Sequence, residues 1–247
     1  MSSFFVEVRE TLVPGNEGKH GPLPLLLIAM TIVTGLVDAF SYLVLGHVFV
    51  ANMTGNVVFL GFAFAGASGF SIVASLVALG AFALGALVGG MLGSRVGLHR
   101  GRLLSIAATL QAILLAISVV LALLAGKVTP VGPTAYGYSL IVLLGIAMGL
   151  QNATARKLAV PDLTTTVLTL TITGIAADSR IVGGSGSKAG RRLLSVLAMF
   201  VGALVGALLI FHVSIAAPLA IAFIIKVGIA VAARLFSRGD PVWVHAG

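Results

Sequence analysis

VANMTGNVV, residues 50–58, puts two Asn, a Thr and a Gly into an otherwise apolar region. The surrounding chain decides what that interruption means. Of the 247 residues, 59% are hydrophobic and 9% are charged, against roughly a quarter charged in an ordinary soluble domain. Several windows of about 20 residues carry no charge or one ionisable group, the length an α-helix needs to cross a hydrocarbon core of roughly 30 Å. The alternating segments of about 10 residues that build a transmembrane β-barrel are not seen. The expected fold class is all-α, a polytopic transmembrane helical bundle.

The first 21 residues carry Glu7, Glu10, Glu17, Arg9 and Lys19 and no apolar stretch. They do not resemble a secretory signal, and the apolar run from about Leu23 is too long for a signal core, so it is expected to stay as the first span. There is no cysteine, which excludes disulfides and thiolate metal or redox sites. A formal charge of +8 resembles that of a nucleic-acid binder, but nearly all of the cations flank apolar runs. The positive-inside rule accounts for them there, and no nucleic-acid partner is expected.

Six windows qualify as full spans: about 23–45, 70–93, 103–125, 135–155, 193–212 and 215–236. Two segments fall short. Residues 51–66 open with the quoted cluster and continue with half a span of apolar residues. Residues 163–177, LTTTVLTLTITGIAA, hold six Thr in 15 residues and reach only about 22 Å as a helix. The two segments lie at matching places in an internal repeat. GLVDAFS at Gly35 matches GLQNATA at Gly149, VANMTGNV at Val50 matches VPDLTTTV at Val160, and GALVGGML at Gly85 matches GALVGALL at Gly202. The offsets of 114, 110 and 117 residues keep the order of the three matches. The organisation expected is a cytoplasmic tail 1–21, a first repeat 22–132, a second repeat 133–237 and a cytoplasmic tail 238–247.

Charge placement then selects the topology. With six spans, a re-entrant or broken half-helix in each repeat and an inside N-terminus, 13 of the 15 basic residues fall inside; only Lys127 is outside and Lys226 lies within a span. If all eight segments cross, Arg95, Arg100, Arg102, Arg156 and Lys157 move outside, leaving nine in and five out. Three spans per repeat turn the second repeat upside down relative to the first, an inverted-topology arrangement. A seven-span arrangement, or a broken second helix that does cross, is the competing arrangement.

Inverted repeats with interrupted helices place substrate or ion sites near the midplane, where irregular backbone survives only inside protein or along a cavity. Asn52 and Thr54 are good N-cap types, Gly55 permits unusual backbone angles, and Asn56 adds a further amide. In the second repeat Asp162 is a natural N-cap, followed by Thr165 and Thr166. Two helix N-termini near the centre favour an anionic or hydrogen-bond-accepting solute. The competing reading is that these side chains only satisfy broken backbone.

Asp38 sits deep in the first span, and Asn152, beside Gln151, holds the matched position in the second repeat. An intramembrane carboxylate costs several kcal/mol unless paired, protonated or hydrated, which makes Asp38 a candidate for substrate binding and proton coupling. Its structural alternative is a partner for the neighbouring half-helix. Lys226, central in the last span, is a candidate for an ion pair with Asp38 or Asp162, or for contact with an anionic solute. Thr166, Thr169 and Thr173 share a helix face and line a polar path, or bond back to their own helix. Gly85, Gly89 and Gly93, with Gly202 and Gly206, form small faces that bring the repeats together; a homodimer seam is the alternative. No phosphate loop, metal-spaced His pair or nucleophile with its base is present, so no enzyme, metal or cofactor is expected.

The stretches GLVDAFSYLVLGHVFVANMTGNVVFLG, residues 35–61, and GLQNATARKLAVPDLTTTVLTLTITG, residues 149–174, resemble the YoaK-like family of bacterial multi-spanning membrane proteins of unknown function. The resemblance covers nearly the whole chain after residue 21. It implies an integral protein of the bacterial cytoplasmic membrane, with Asp38, Thr54, Gly55, Asn56, Gln151 and Asn152 on the recurrent motif and no substrate attached. Thr164 is followed by Thr165 where Thr54 is followed by Gly55, so the two half-helices need not be equivalent.

The leading expectation is a small-solute transporter or channel with a site between the two polar motifs. The rival is a membrane scaffold or partner subunit whose buried polar residues are structural. The topology has a direct test in a chain without cysteine. Ala67→Cys is expected to react with an impermeant thiol reagent added outside, and Ser187→Cys only from the cytoplasm. Cytoplasmic labelling of Ala67→Cys would establish eight crossings instead.

Overall fold

A computed structural model describes residues 3–13, 18–125, 134–161, 163, 165, 168–179, 183–184 and 188–245. Its helices are α1 (Ser3–Leu12), α2 (Leu23–Val44), α3 (Met53–Phe64), α4 (Ile72–Val96), α5 (Arg100–Leu124), α6 (Ala135–Leu158), α7 (Leu168–Ala177), α8 (Ala189–His212) and α9 (Ala217–Phe236). Six of them, with 22, 25, 25, 24, 24 and 20 residues, are long and apolar enough to cross a membrane. They correspond to the six expected windows. At 12 and 10 residues α3 and α7 are too short, since they extend only about 18 and 15 Å.

Helix ends follow capping chemistry more closely than hydropathy. Ser71 Oγ accepts from Ala74 N–H at 3.2 Å to start α4, and Thr134 Oγ1 accepts from Gly137 N–H at 3.2 Å to start α6. His99 Nδ1 accepts from Arg102 N–H at 3.1 Å, so α5 begins at Arg100, earlier than its apolar window. Of the expected half-helix 163–177, the described helix is Leu168–Ala177, with a bend at Thr165. The tail contains a helix that hydropathy did not reveal. Glu7 of α1 accepts from Lys188 N–H at 3.0 Å and from Gly190 N–H at 3.1 Å, which sets a carboxylate across the N-terminus of α8, where the helix dipole favours it.

The glycines report helix directions. A methyl at Gly85 would strike the backbone of Ile146, one at Gly89 would lie 2.6 Å from Ala153 Cβ, and one at Gly93 3.2 Å from Lys157 Cγ. The positions rise together, so α4 and α6 are parallel and nearly in backbone contact. In the same way Gly35 meets Met199 and Ala203, and Gly206 meets Leu36 and Ala39, which makes α2 and α8 parallel. Helices α5 and α9 are antiparallel: Ser105 Oγ donates to Ala230 O at 3.1 Å, and Gly101 abuts Ser237. Short turns reverse the chain between α4 and α5 and between α8 and α9. Helices α2, α5 and α8 therefore run one way and α4, α6 and α9 the other.

These pairings exchange partners between the halves of the chain. Helix α4 packs on α6, and α8 packs on α2, in the two most extensive contacts of the bundle; α5 on α9 follows. Helices α2 and α6, which carry the polar motifs, are innermost, with 78% and 61% of their apolar windows buried against 22–39% for the other four. Outward faces are apolar, including Leu87, Ile113, Phe200 and Ile224. Among the described residues every Lys and Arg except Lys226 lies at one end of the bundle.

The segment between α2 and α4 leaves and returns at one end of α2. Ala51 N–H donates to Asp38 Oδ1 at 3.1 Å, so the chain descends from the end of α2 by six residues, roughly 9 Å, before α3 starts. The return is marked by His47 Nδ1, 3.1 Å from Gly69 O, and by packing of Tyr42, Phe49, Phe59, Phe62 and Phe70.

Close backbone approach makes a clear demand on the glycines. Gly149→Val, which would meet the backbone of Phe82 and Ala86, and Gly202→Val, which would meet Ile32, are each expected to cost about 1–3 kcal/mol or more. Gly80→Ala, with nothing near its added methyl, should leave the unfolding midpoint of the purified protein unchanged or slightly raised, since alanine favours helix over glycine.

Candidate functional site

A cavity of about 1500 Å³ lies between α2, α3, α6 and α7, with α4 and α8 completing its walls. The first motif contributes Asp38, Asn52, Thr54 and Gly55, and the second contributes Asn152 and Thr165. Segments more than a hundred residues apart thus share one wall. The first residues of both short helices, Met53 of α3 and Leu168 of α7, also border it.

Each candidate has a definite local role. Asn52 Oδ1 caps α3 by accepting from Gly55 N–H at 3.4 Å. A methyl at Gly55 would come 2.8 Å from the Phe49 ring, so the glycine lets that ring cover the helix start. Thr54 is exposed to the cavity. Asp38 accepts from Ala51 N–H, and Asn152 Nδ2 donates to Met148 O at 3.0 Å. Thr165 is 1% exposed, and its hydroxyl has no hydrogen-bond partner among the described residues. Asp162 and Thr166, also expected here, lie outside the described residues.

Two candidates are turned away from the cavity. Asn56 is fully buried; its Oδ1 accepts from Phe49 N–H at 2.9 Å and its Nδ2 donates to Phe49 O at 2.6 Å. One side-chain amide thus replaces a backbone partner for the descending chain. Gln151 is buried in the helix core, where Nε2 donates to Thr34 Oγ1 at 2.7 Å and to Met30 O at 3.2 Å. Its Oε1 accepts from Lys226 Nζ at 2.5 Å. Lys226, for which a carboxylate partner was expected, instead meets a neutral amide.

Other contributors carried no local signal. From the register of α5 on α9, Gln111 lies within a turn of the level of Lys226, fully buried, with both amide atoms unpartnered among the described residues. The buried Arg100 guanidinium donates to Leu158 O and, at 3.2 Å, to Lys19 O, tying α5 to the end of α6 beside the cavity. Burial, and then the Arg100 charge, hold the neighbouring His20 below the ordinary imidazole range. Arg156 and Lys157, which topology alone explained from sequence, line the cavity at its basic end.

Residues 26–232, from the start of α2 to within α9, match the profile of a family described as a protein of unknown function (DUF1275). The chain belongs to the DUF1275 family. It is 32% identical over 229 residues to the UPF0700 transmembrane protein YoaK of Bacillus subtilis (strain 168), covering 87% of this chain and 96% of that relative. No solved structure matches. This DUF1275 member is a multi-pass membrane protein, and the family match takes in the residues that wall the cavity and those of the Lys226 network, while α1 lies outside it.

The Lys226 network supports a stability prediction. Removing one partner of a buried hydrogen bond leaves the other unsatisfied, at about 1–3 kcal/mol, whereas replacing both with apolar groups of similar shape can be close to neutral. Gln151→Leu is expected to destabilise strongly, Lys226→Met less so, and the double variant to recover most of the Gln151→Leu loss in thermal unfolding of the purified protein.

Proposed function

We propose that this protein carries a small solute across the bacterial cytoplasmic membrane, as a transporter or channel, without chemistry on the solute. The observation that carries the reading is the shared cavity, walled by both polar motifs and holding an intramembrane carboxylate. In ordinary packing, a carboxylate and an unpartnered hydroxyl beside an apolar cavity cost free energy; in a solute site they are the working groups.

The architecture behind the proposal is two inverted-topology repeats, each of three spans and one re-entrant half-helix. Three features support it: α2 and α6 run oppositely, the pair α2–α8 answers to the pair α6–α4, and α5 packs on its own counterpart α9. The segment holding α3 has both ends at one end of the bundle, and the segment holding α7 joins helices at the other. By the positive-inside rule the basic end, with both termini, faces the cytoplasm. Asn56 and Gln151, fully bonded within the protein, take the scaffolding role that the rival reading gave to all the polar residues. Asp38 is the residue proposed to take up a coupling proton.

Asp38→Asn keeps an oxygen for Ala51 N–H and is expected to fold normally, yet in proteoliposomes it should make solute flux indifferent to an imposed pH gradient. Persisting gradient dependence would remove Asp38 from coupling. Failure of the native protein to bind or move any member of a broad panel of anionic, neutral and cationic solutes would overturn the transport reading itself.

A further inference from the structure

The cavity has a charge pattern that its motifs do not explain. Among its described lining residues the cations are Arg156 and Lys157, both exposed on the last turn of α6, and the acid is Asp38. Asp38 lies six residues from the far end of α2 and Arg156 two from the basic end of α6. Along helices of this length the two levels are roughly 20 Å apart. The basic end of the cavity is therefore cationic, among the described residues, and the carboxylate is remote from it. The surrounding end of the bundle adds Arg95, Arg102 and Arg191, while Arg192 there is paired with Asp178 at 2.7 Å, and clustered like charges beside a low-dielectric wall concentrate ions of opposite sign.

Two further observations define what such an ion would meet. The buried Thr165 hydroxyl at the cavity has no partner among the described residues, so it is free to donate to an anionic oxygen. Beyond it the wall is apolar and aromatic, with Phe49, Phe59 and Phe82. At about 1500 Å³ the space exceeds the roughly 300–1,000 Å³ of common small-molecule pockets and is far larger than an inorganic ion.

We propose that the cavity takes an organic anion, its charged head drawn in by Arg156 and Lys157 and held at Thr165, its apolar body seated against Phe49, Phe59 and Phe82. This rests on the reading of the cavity as a solute site and names the class of solute. Asp38, at the far end, is remote from the head when it binds. As the anion advances toward Asp38, like-charge repulsion favours the carboxylate with its proton, so anion and proton move together.

The test uses three aromatic probes that differ in charge and do not change it: benzenesulfonate, benzyltrimethylammonium and phenyl β-glucoside. Binding to the purified full-length protein is measured by equilibrium dialysis and flux in proteoliposomes. Benzenesulfonate is expected to be preferred, and Arg156→Gln with Lys157→Gln to weaken it by about tenfold or more. Arg238→Gln, a basic-end residue away from the cavity, should leave binding unchanged. Thr165→Val should weaken binding several-fold with no loss of thermal stability, since the hydroxyl it removes has no partner; lost stability with unchanged affinity would make Thr165 structural and remove it from the site. Preference for the cation or the glucoside, or anion binding indifferent to the paired substitutions, would overturn the anion class while leaving a solute site. Absence of binding and flux for all three probes would overturn the anion class, and extension of that silence to the broad panel would take the solute site with it.

Discussion

Everything distinctive in this fold depends on keeping backbone polar groups satisfied where no water reaches them. Backbone that leaves regular helix inside an apolar bundle exposes N–H and C=O groups that cost several kcal/mol each if unpaired. Asn56 meets both polar groups of Phe49, and the Asp38 carboxylate meets Ala51 N–H. These contacts hold the descent at a fixed depth and let α3 begin beside the innermost helix. Without them the short helix would have no defined start and the cavity no first wall.

The second constraint is the close approach of paired helices. Hydrophobicity does not drive helices together in lipid, where tails are as apolar as leucine, so small residues that admit backbone contact decide the partners. Gly35, Gly85, Gly149 and Gly202 provide it, and each faces a helix from the other half of the chain. The halves are consequently intertwined, and the small faces that from sequence also suited a homodimer seam are occupied within one chain. The same exchange brings the two interrupted segments to a common space.

At the centre the protein buries a lysine. Lys226 is fully buried and hydrogen-bonded to Gln151, which continues the chain of polar contacts to Thr34 and Met30 O. Thr34 and Gln151 adjoin Gly35 and Asn152 of the cavity wall, so a change at the cavity has a short physical route to Lys226. Gln111 at the same level gives this core a second amide from the facing helix.

Local chemistry of the chain was sufficient for the six long apolar helices, the two short polar segments and the gathering of the described cations at one end, because each is a matter of composition, length or spacing along one stretch. Asp38, Asn152 and Thr165 were also legible as cavity residues, since a polar group in an apolar helix stands out. What side chains face was not legible. Asn56 and Gln151 have the same composition signal as Asn152, yet one serves Phe49 and the other lies across 75 residues from Lys226. Arg156 and Lys157 read as topology signals until the packing of α6 set its last turn against the cavity, and α1 was hidden because it is held by Glu7 and α8 rather than by its own hydropathy. Sequence by itself determined that this chain sets two short polar segments among six long apolar ones. Only the tertiary structure decided that the two segments border one cavity, because that depends on which glycine faces pair across distant helices.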